Sequence, residues 1–468
     1  MTIGALKDLL QESAPNAAHD SQARSFDTPR CDEDTRVELI SEIMEQIEDL
    51  KSRRIISMTG SAGSGKSAIA QTICEQCEEK GILGASFFFS VADPTRNHPG
   101  RFIASLAHQL AVRIPVVQPY ILSAVQRQSG IFSKSLQVQM DKLIILPITQ
   151  FLSQHPPSPS PLRTHVLVVD GLDECGKEEN QQQVILALHQ LQCVAVLPFI
   201  VFLTCRPEVA IRDALDLSGC FHQVAYRILL NDYDTFRDIQ GYIRRRLTLV
   251  GQRRGLSNWP SEEEIATLAH QASGQFIYAA TAVKFIGERR ASPIKRLELV
   301  LAQSANGPQP MSLTAPIDTL YRTILEPAKR AYDEALDTTD SDFALRLKVM
   351  LYITYEVFRH TIGPEFTTEI DSILRLEPGD TVSFLVDLHS VIRLQEEVNE
   401  NSQNAPTLVH RVSVWHKSFL DFLANPSRCG EFYVDESCLL SHITACALEN
   451  LSETVLDGEM AISSSHLQ

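Results

Sequence analysis

Residues 60–67 read Gly60, Ser61, Ala62, Gly63, Ser64, Gly65, Lys66 and Ser67, a match to G-x-x-x-x-G-K-[ST]. The octet follows the apolar run Ile55–Thr59 and opens a helical pattern that continues through Ile73. A strand that turns through glycines straight into a helix is what an anion-wrapping loop requires. Glycine lets the backbone fold its N–H groups around a phosphate, and the helix N-terminus adds its dipole. In that geometry Lys66 reaches the β- and γ-phosphates, Ser67 offers a hydroxyl to Mg²⁺, and the backbone from Gly60 to Ala68 forms the cradle. A fortuitous Gly-rich turn is the competing reading, but a random match at these residue frequencies is expected in well under ~1 in 100 chains. ATP or ADP with Mg²⁺ is the expected ligand.

Such a loop needs an acid at the end of a neighbouring strand, and Val166–Asp170 supplies four apolar residues followed by a carboxylate. Asp170 is expected to orient Mg²⁺. Gly171, Leu172, Asp173 and Glu174 follow, placing two further acids where a carboxylate can position or deprotonate an attacking water. The alternative for Asp173 and Glu174 is a solvated loop or a helix cap. A third apolar run ends in Thr204, Cys205, Arg206 and Pro207, which puts Arg206 where a cation senses a γ-phosphate. Strand-end arginines also serve in surface ion pairs; beside the other two motifs, the catalytic role is favoured.

The organisation around these motifs is an α/β P-loop domain. Ile55–Thr59, Ala85–Phe89, His165–Val169 and Phe199–Leu203 are short apolar runs separated by helix-like segments, the pattern of a parallel sheet covered on both faces. Residues 1–33 are small and polar without sustained periodicity and read as a flexible lead-in. Order is expected to begin at Asp34, capping a helix whose apolar positions are Ile40, Ile43, Met44, Ile47 and Leu50. His155–Pro161 reads as a surface connection. Beyond residue 228 helical periodicity takes over in Tyr233–Val250, Glu262–Ser273, Gln275–Gly287 and Pro293–Gln303. After a break at Asn306–Pro310, helices lead to two extended runs, Val391–Val398 and Thr407–Val414, and a helix Trp415–Leu423, an order that suggests a winged helix. The expected domains are a nucleotide-binding α/β domain (34–228), a helical domain (229–305), a winged-helix domain (306–425) and a helical tail (426–468).

With these motifs in place the chain resembles the NACHT family, a branch of the AAA+-like STAND group of signal-transducing P-loop NTPases. The likeness rests on the phosphate loop, the cluster Asp170, Gly171, Leu172, Asp173, Glu174, and Thr204 with Arg206 at the next strand end. The phrases Gly84–Ser90, Phe276–Ala280 and Gly430–Val434 look like the fungal NACHT expansion, often labelled nephrocystin-3-like at its N-terminal domain. The resemblance covers roughly residues 31–440. It implies a nucleotide switch held closed by ADP, opening and homo-oligomerising on ATP exchange, with slow hydrolysis as the reset and an unknown effector downstream, in roles such as non-self recognition or programmed cell death. It also implies that His416 contacts the ADP β-phosphate; a half-buried helix-start histidine is the alternative. One departure is Phe276, which stands where related switches carry the proline of Gly-x-Pro against adenine, and which either stacks or packs in a core. A length of 468 residues suffices for such a switch and leaves no room for the effector domain or repeat sensor that usually flanks it.

Composition narrows the rivals. There are 42 Lys and Arg against 58 Asp and Glu, a net charge of −16, which disfavours general binding to a phosphate backbone. The basic stretch 241–296, ten Lys/Arg against four Asp/Glu, reads as a solvated helix face. Ten cysteines without a secretory leader read as reduced thiols in a cytoplasmic protein, and Cys74 and Cys77 as two thiols on one helix face rather than a metal pair. The longest apolar run, Val194–Leu203, is interrupted by Pro198 and cannot span a membrane. No repeat of fixed period is visible. The alternatives kept are a scaffold that binds nucleotide without turnover and a winged-helix nucleic-acid binder.

Overall fold

In the computed structural model the described residues are 2–21, 30–32, 34–49, 53–91, 93–128, 130–155, 162–289, 291–302, 314–337, 341–357, 367–399 and 407–465. They form two compact units, Met1–Gly241 and Tyr242–Gln468.

The first unit is built on a parallel sheet of β1 (Ile55–Thr59), β2 (Leu83–Phe88), β3 (His165–Asp170), β4 (Phe199–Cys205) and β5 (Ala225–Leu229), in the order β2-β3-β4-β1-β5. Alternate residues of each inner strand feed opposite cores. Ile55, Leu167, Val169, Val201 and Leu203 join one cluster, and Ile56, Met58, Val166, Val168 and Phe202 join the other. Burial on both faces explains the unbroken apolar runs. Strand β5 lacks that signal because it is not sealed on both faces: Tyr226, Arg227 and Leu229 are not buried, so its apolar content is diluted.

Register and connection direction create a crevice. Thr59 at the end of β1 lies beside Cys205 at the end of β4. After β1 the chain enters the helix Lys66–Glu79, whose Ile69, Ile73 and Cys77 pack on one face of the sheet. After β4 it enters the helix Val209–Leu215, whose Ala210, Ile211 and Ala214 pack on the other. Adjacent parallel strands that leave for opposite faces open a gap at their carboxyl ends, where α/β proteins bind ligands.

Residues 2–21 correct the expectation of a flexible lead-in. Thr2–Gln11 is a helix, and Ala5, Leu9, Ala14 and Ala17 are buried in the same core as Leu106, Leu110 and Ile121. Polar anchors fix the segment: Arg101 Nη1 donates to the carbonyls of Gln11 and Ser13 (both 2.9 Å), the Ala14 N–H to Ser105 Oγ (2.8 Å) and the His19 N–H to Ser86 Oγ (3.0 Å). The sequence does carry a signal for this helix, since Ile3, Leu6, Leu9 and Leu10 recur at helical spacing, whereas the Ala and Ser residues of 13–18 that follow it carry little periodic signal. The helix Val37–Glu48 buries Leu39, Ile40, Ile43, Met44 and Ile47; Leu50 lies outside the described residues. Its N-cap is Arg36, in a left-handed conformation at φ 58°, so Asp34 is not the cap.

The division between the two units falls inside the helix Phe236–Arg253. Within the first unit Tyr233 Oη donates to Glu42 Oε2 (2.8 Å) and Asp238 Oδ2 accepts the Arg36 N–H (3.1 Å).

The second unit is mainly helical. Glu262–Gln271 starts on a Ser261/Glu264 capping box, and Phe276–Ile286, Pro293–Ala302, Ala315–Leu336 and Phe343–Tyr352 follow. β6 (Ile392–Asn399) and β7 (Thr407–Val414) pair as an antiparallel hairpin with Ile392 opposite Val414, ahead of the helix Lys417–Leu423. Buried Asp318 receives Nε (3.0 Å) and Nη2 (2.7 Å) of Arg428, tying Ala315–Leu336 to Pro426–Cys429. Gln303, the Asn306–Pro310 break and Pro156–Pro161 lie outside the described residues. All ten cysteines are free thiols, Cys74 and Cys77 both within the core. Among the described residues no helix is long and apolar enough to cross a membrane.

Leu9 is 0% exposed, so Leu9→Ala is expected to destabilise the first unit by about 2–5 kcal/mol. Denaturant or thermal unfolding checks this, and an unchanged midpoint contradicts the docking of residues 2–21.

Candidate functional site

The three strand ends singled out in the sequence meet at the β1/β4 crevice. β1 runs into Gly60, whose N–H donates to the Cys205 carbonyl (3.3 Å). The loop then turns through Gly63 (φ 74°) and Gly65 (φ 95°), conformations that suit glycine. Gly65 is the N-cap of Lys66–Glu79, and no side chain caps it. Ile69 makes the first intrahelical bond, to the Gly65 carbonyl (3.0 Å). The N–H groups of Gly65, Lys66, Ser67 and Ala68 therefore have no acceptor within their helix.

Two further observations fit a phosphate in this loop. Ser64 Oγ is buried and has no hydrogen-bond partner among the described residues. A Cβ at Gly60 would lie 2.8 Å from Ser64 Oγ and 2.9 Å from Leu230 Cβ, so only glycine leaves the loop its shape. Lys66 folds over the loop, with Nζ donating to the carbonyls of Gly60 and Ser61 (both 2.9 Å). Burial holds its ammonium below the usual lysine range; Asp173 is the strongest opposing influence, Arg206 adds to the depression, and Asp170 opposes it. A polyanion here offsets both the burial of Lys66 and its repulsion from Arg206.

Asp170 closes β3, and its Oδ1 accepts from the hydroxyl of Thr204 on β4. The Gly171 N–H, at φ 72°, donates to the Thr204 carbonyl (3.0 Å), locking the two strand ends together. Asp173 is engaged twice by Arg206: Oδ2 receives Nε at 3.0 Å and Oδ1 receives the main-chain N–H at 3.1 Å. With its side chain 4% exposed, Asp173 aims the guanidinium. Glu174 Oε2 accepts the Val91 N–H (3.0 Å), which fixes this carboxylate beside the end of β2. Gly60 through Ala68, Asp170, Asp173, Glu174 and Arg206 all belong to the first unit, and Ser67 and Asp170 each offer an oxygen of the kind a magnesium ion takes.

Sequence reasoning passed over Arg36. Its guanidinium is buried, and Nη2 donates to the Ser64 carbonyl in the phosphate loop (3.1 Å). The one signal for it was a cation at a helix start, where the dipole favours acids.

His416 belongs to the second unit, where it is the N-cap of Lys417–Leu423. Its Nδ1 accepts the Ser418 N–H (3.1 Å) and bonds with Ser418 Oγ (2.7 Å), which in turn meets the Tyr321 hydroxyl (2.7 Å). Phe276 opens the helix Phe276–Ile286 in the same unit.

Residues 38–206 match the family model described as "Nephrocystin 3, N-terminal". This stretch is nephrocystin-3-like and contains every strand-end residue of the site from Gly60 to Arg206. Comparison with curated proteins gives no match. Among solved structures, one described as "Structure of Drosophila ORC bound to DNA" aligns at 12% identity over 87% of this chain and 89% of that chain, with a TM-score of 0.30.

Gly60→Ala forces its methyl against Ser64 Oγ and Leu230 Cβ. It is expected to weaken binding of a phosphate-bearing ligand at least tenfold, about 1.4 kcal/mol, while the unit stays folded by circular dichroism. Unchanged affinity contradicts a phosphate seat in this loop.

Proposed function

We propose that the chain is a NACHT-type, AAA+-like STAND NTPase that alternates between ADP and ATP states and resets by slow hydrolysis. The observation that carries the reading is the meeting, at one crevice, of a loop with a buried unsatisfied hydroxyl and uncapped helix N–H groups with a lysine, an acid and an arginine on the adjoining strand ends. The nephrocystin-3-like stretch supports it.

In this reading the N–H groups from Gly65 to Ala68 and Lys66 Nζ bind the phosphates, Nζ leaving the loop carbonyls it now holds. Ser67 and Asp170 hold Mg²⁺, which neutralises phosphate charge. Thr204 keeps the Asp170 carboxylate in place. Glu174 positions the attacking water and takes its proton, Asp173 aims Arg206 at the γ-phosphate, and the bond from the γ-phosphorus to its bridging oxygen breaks to leave ADP and phosphate. Because Nδ1 of His416 accepts a backbone N–H, the proton of its neutral ring sits on Nε2, a donor suited to the ADP β-phosphate in a closed state. The helical and winged-helix parts, an ATP-dependent homo-oligomer, an effector partner and a cytoplasmic setting complete the reading.

One observation favours a second reading, nucleotide binding without turnover: Glu174 is already committed to the Val91 N–H. Nucleic acid is disfavoured because residues 326–468 carry ten Lys/Arg against 24 Asp/Glu.

Purified protein is expected to release ADP on denaturation, seen by mass spectrometry, and Lys66→Ala protein to release none; nucleotide-free wild-type protein contradicts the proposal. With excess ATP, phosphate release beyond one equivalent, lost in Glu174→Gln, supports hydrolysis; retained nucleotide without such release selects the second reading. His416→Ala is expected to raise the ADP off-rate about tenfold if it supplies one charge-assisted bond, and an unchanged rate removes His416 from the site.

A further inference from the structure

Arg36 lies between the phosphate loop and the helix that leads out of the first unit. Its Nη2 donates to the Ser64 carbonyl, and its own N–H donates to Asp238 Oδ2 (3.1 Å). Asp238 is in the first turn of Phe236–Arg253. That turn is held by the Phe236 N–H on Asp234 Oδ1 (2.9 Å) and by the fully buried Ile239. Arg36 sits at φ 58°, a conformation that costs a non-glycine residue free energy and persists only where surroundings enforce it. Here those surroundings are the loop on one side and Asp238 on the other.

The contact with Ser64 has a consequence at the next residue. A trans peptide points its carbonyl and its N–H in opposite directions. With the Ser64 carbonyl drawn to Arg36, the Gly65 N–H turns the other way, and that group is the first of the uncapped donors at the helix start. The Ser64 N–H is separately tied to the Ser61 carbonyl (3.3 Å), and the Arg36 bond is the contact made by the Ser64 carbonyl itself.

We propose that Arg36 is a positioning residue for the phosphate loop, and that Asp238 makes its hold depend on the seating of the helix Phe236–Arg253. Nucleotide affinity and the seating of that helix are then linked. By reciprocity, a ligand that needs the Gly65 N–H in place favours the seated helix, and release of Asp238 weakens the ligand. The inference rests on the nucleotide reading and adds its regulation: a connection from the phosphates to the helix that runs on into residues 242–253.

The test is a double-mutant cycle on the full chain, with a fluorescent ADP analogue as probe and amide exchange over residues 236–241 as a second readout. Arg36→Ala is expected to lower affinity about 10- to 100-fold, the loss of one charge-assisted bond, and Arg36→Lys to recover part of it. Asp238→Ala alone is expected to lower affinity about three- to tenfold, and to add nothing in the Arg36→Ala background. ADP is expected to slow exchange at 236–241 in wild type and to have no such effect in Arg36→Ala. If Arg36→Ala does not fold, Arg36→Lys and Asp238→Ala carry the test, since each is expected to lose affinity and the ADP-dependent protection. Wild-type binding with Arg36→Ala within twofold, or fully additive losses, overturns this inference alone. Absence of ADP binding by wild type overturns the nucleotide reading and this one with it.

Discussion

The uncapped start of the helix Lys66–Glu79 is the constraint on which the rest of the first unit depends. A helix that begins without acceptors for its first N–H groups must meet solvent or an anion. Here it begins at the bottom of a crevice, with Ser64 Oγ buried and unsatisfied beside it. The sheet creates that position. β1 and β4 lie side by side in register, and the helices that follow them pack on opposite faces. The residues around the gap are tuned to one another before any ligand is considered. Thr204 orients Asp170, Asp173 orients Arg206, and Arg36 orients the Ser64–Gly65 peptide.

Charge tells the same story at larger scale. The chain has a net charge of −16, yet three buried or half-buried cations, Arg36, Lys66 and Arg206, gather around this loop. Burial works against Lys66 and Arg36 alike, and in both cases a carboxylate is the main opposing influence, Asp173 for the one and Asp238 for the other. In the proposed reading, a cluster of cations kept partly dry in an acidic chain suits a specific anion rather than a polyanionic surface.

What could be read from the sequence follows how strongly each element is buried. β1, β3 and β4 are sealed on both faces, so their apolar runs stand out, and the chemistry at their carboxyl ends stood out with them. β5 is only partly buried and lost that signal. The segment 2–21 was legible in part: Ile3, Leu6, Leu9 and Leu10 recur at helical spacing, while the alanines and serines of 13–18 pack by being small and leave no periodic trace. Arg36 was missed for another reason. Its role depends on a left-handed backbone and on Asp238, roughly two hundred positions away, and no local pattern encodes either. Asp34 met the rule for a cap, but the left-handed turn at Arg36 moved the helix start past it.

In the proposed switch the ligand in the phosphate loop governs the state of the whole chain. Light-scattering molar mass after size exclusion reads that state, comparing protein loaded with ADP and with a non-hydrolysable ATP analogue. A nucleotide-driven switch predicts the 52.2 kDa monomer with ADP and a defined multiple of it with the analogue. The same mass and elution volume in both, at nucleotide concentrations shown to saturate the site, contradicts it.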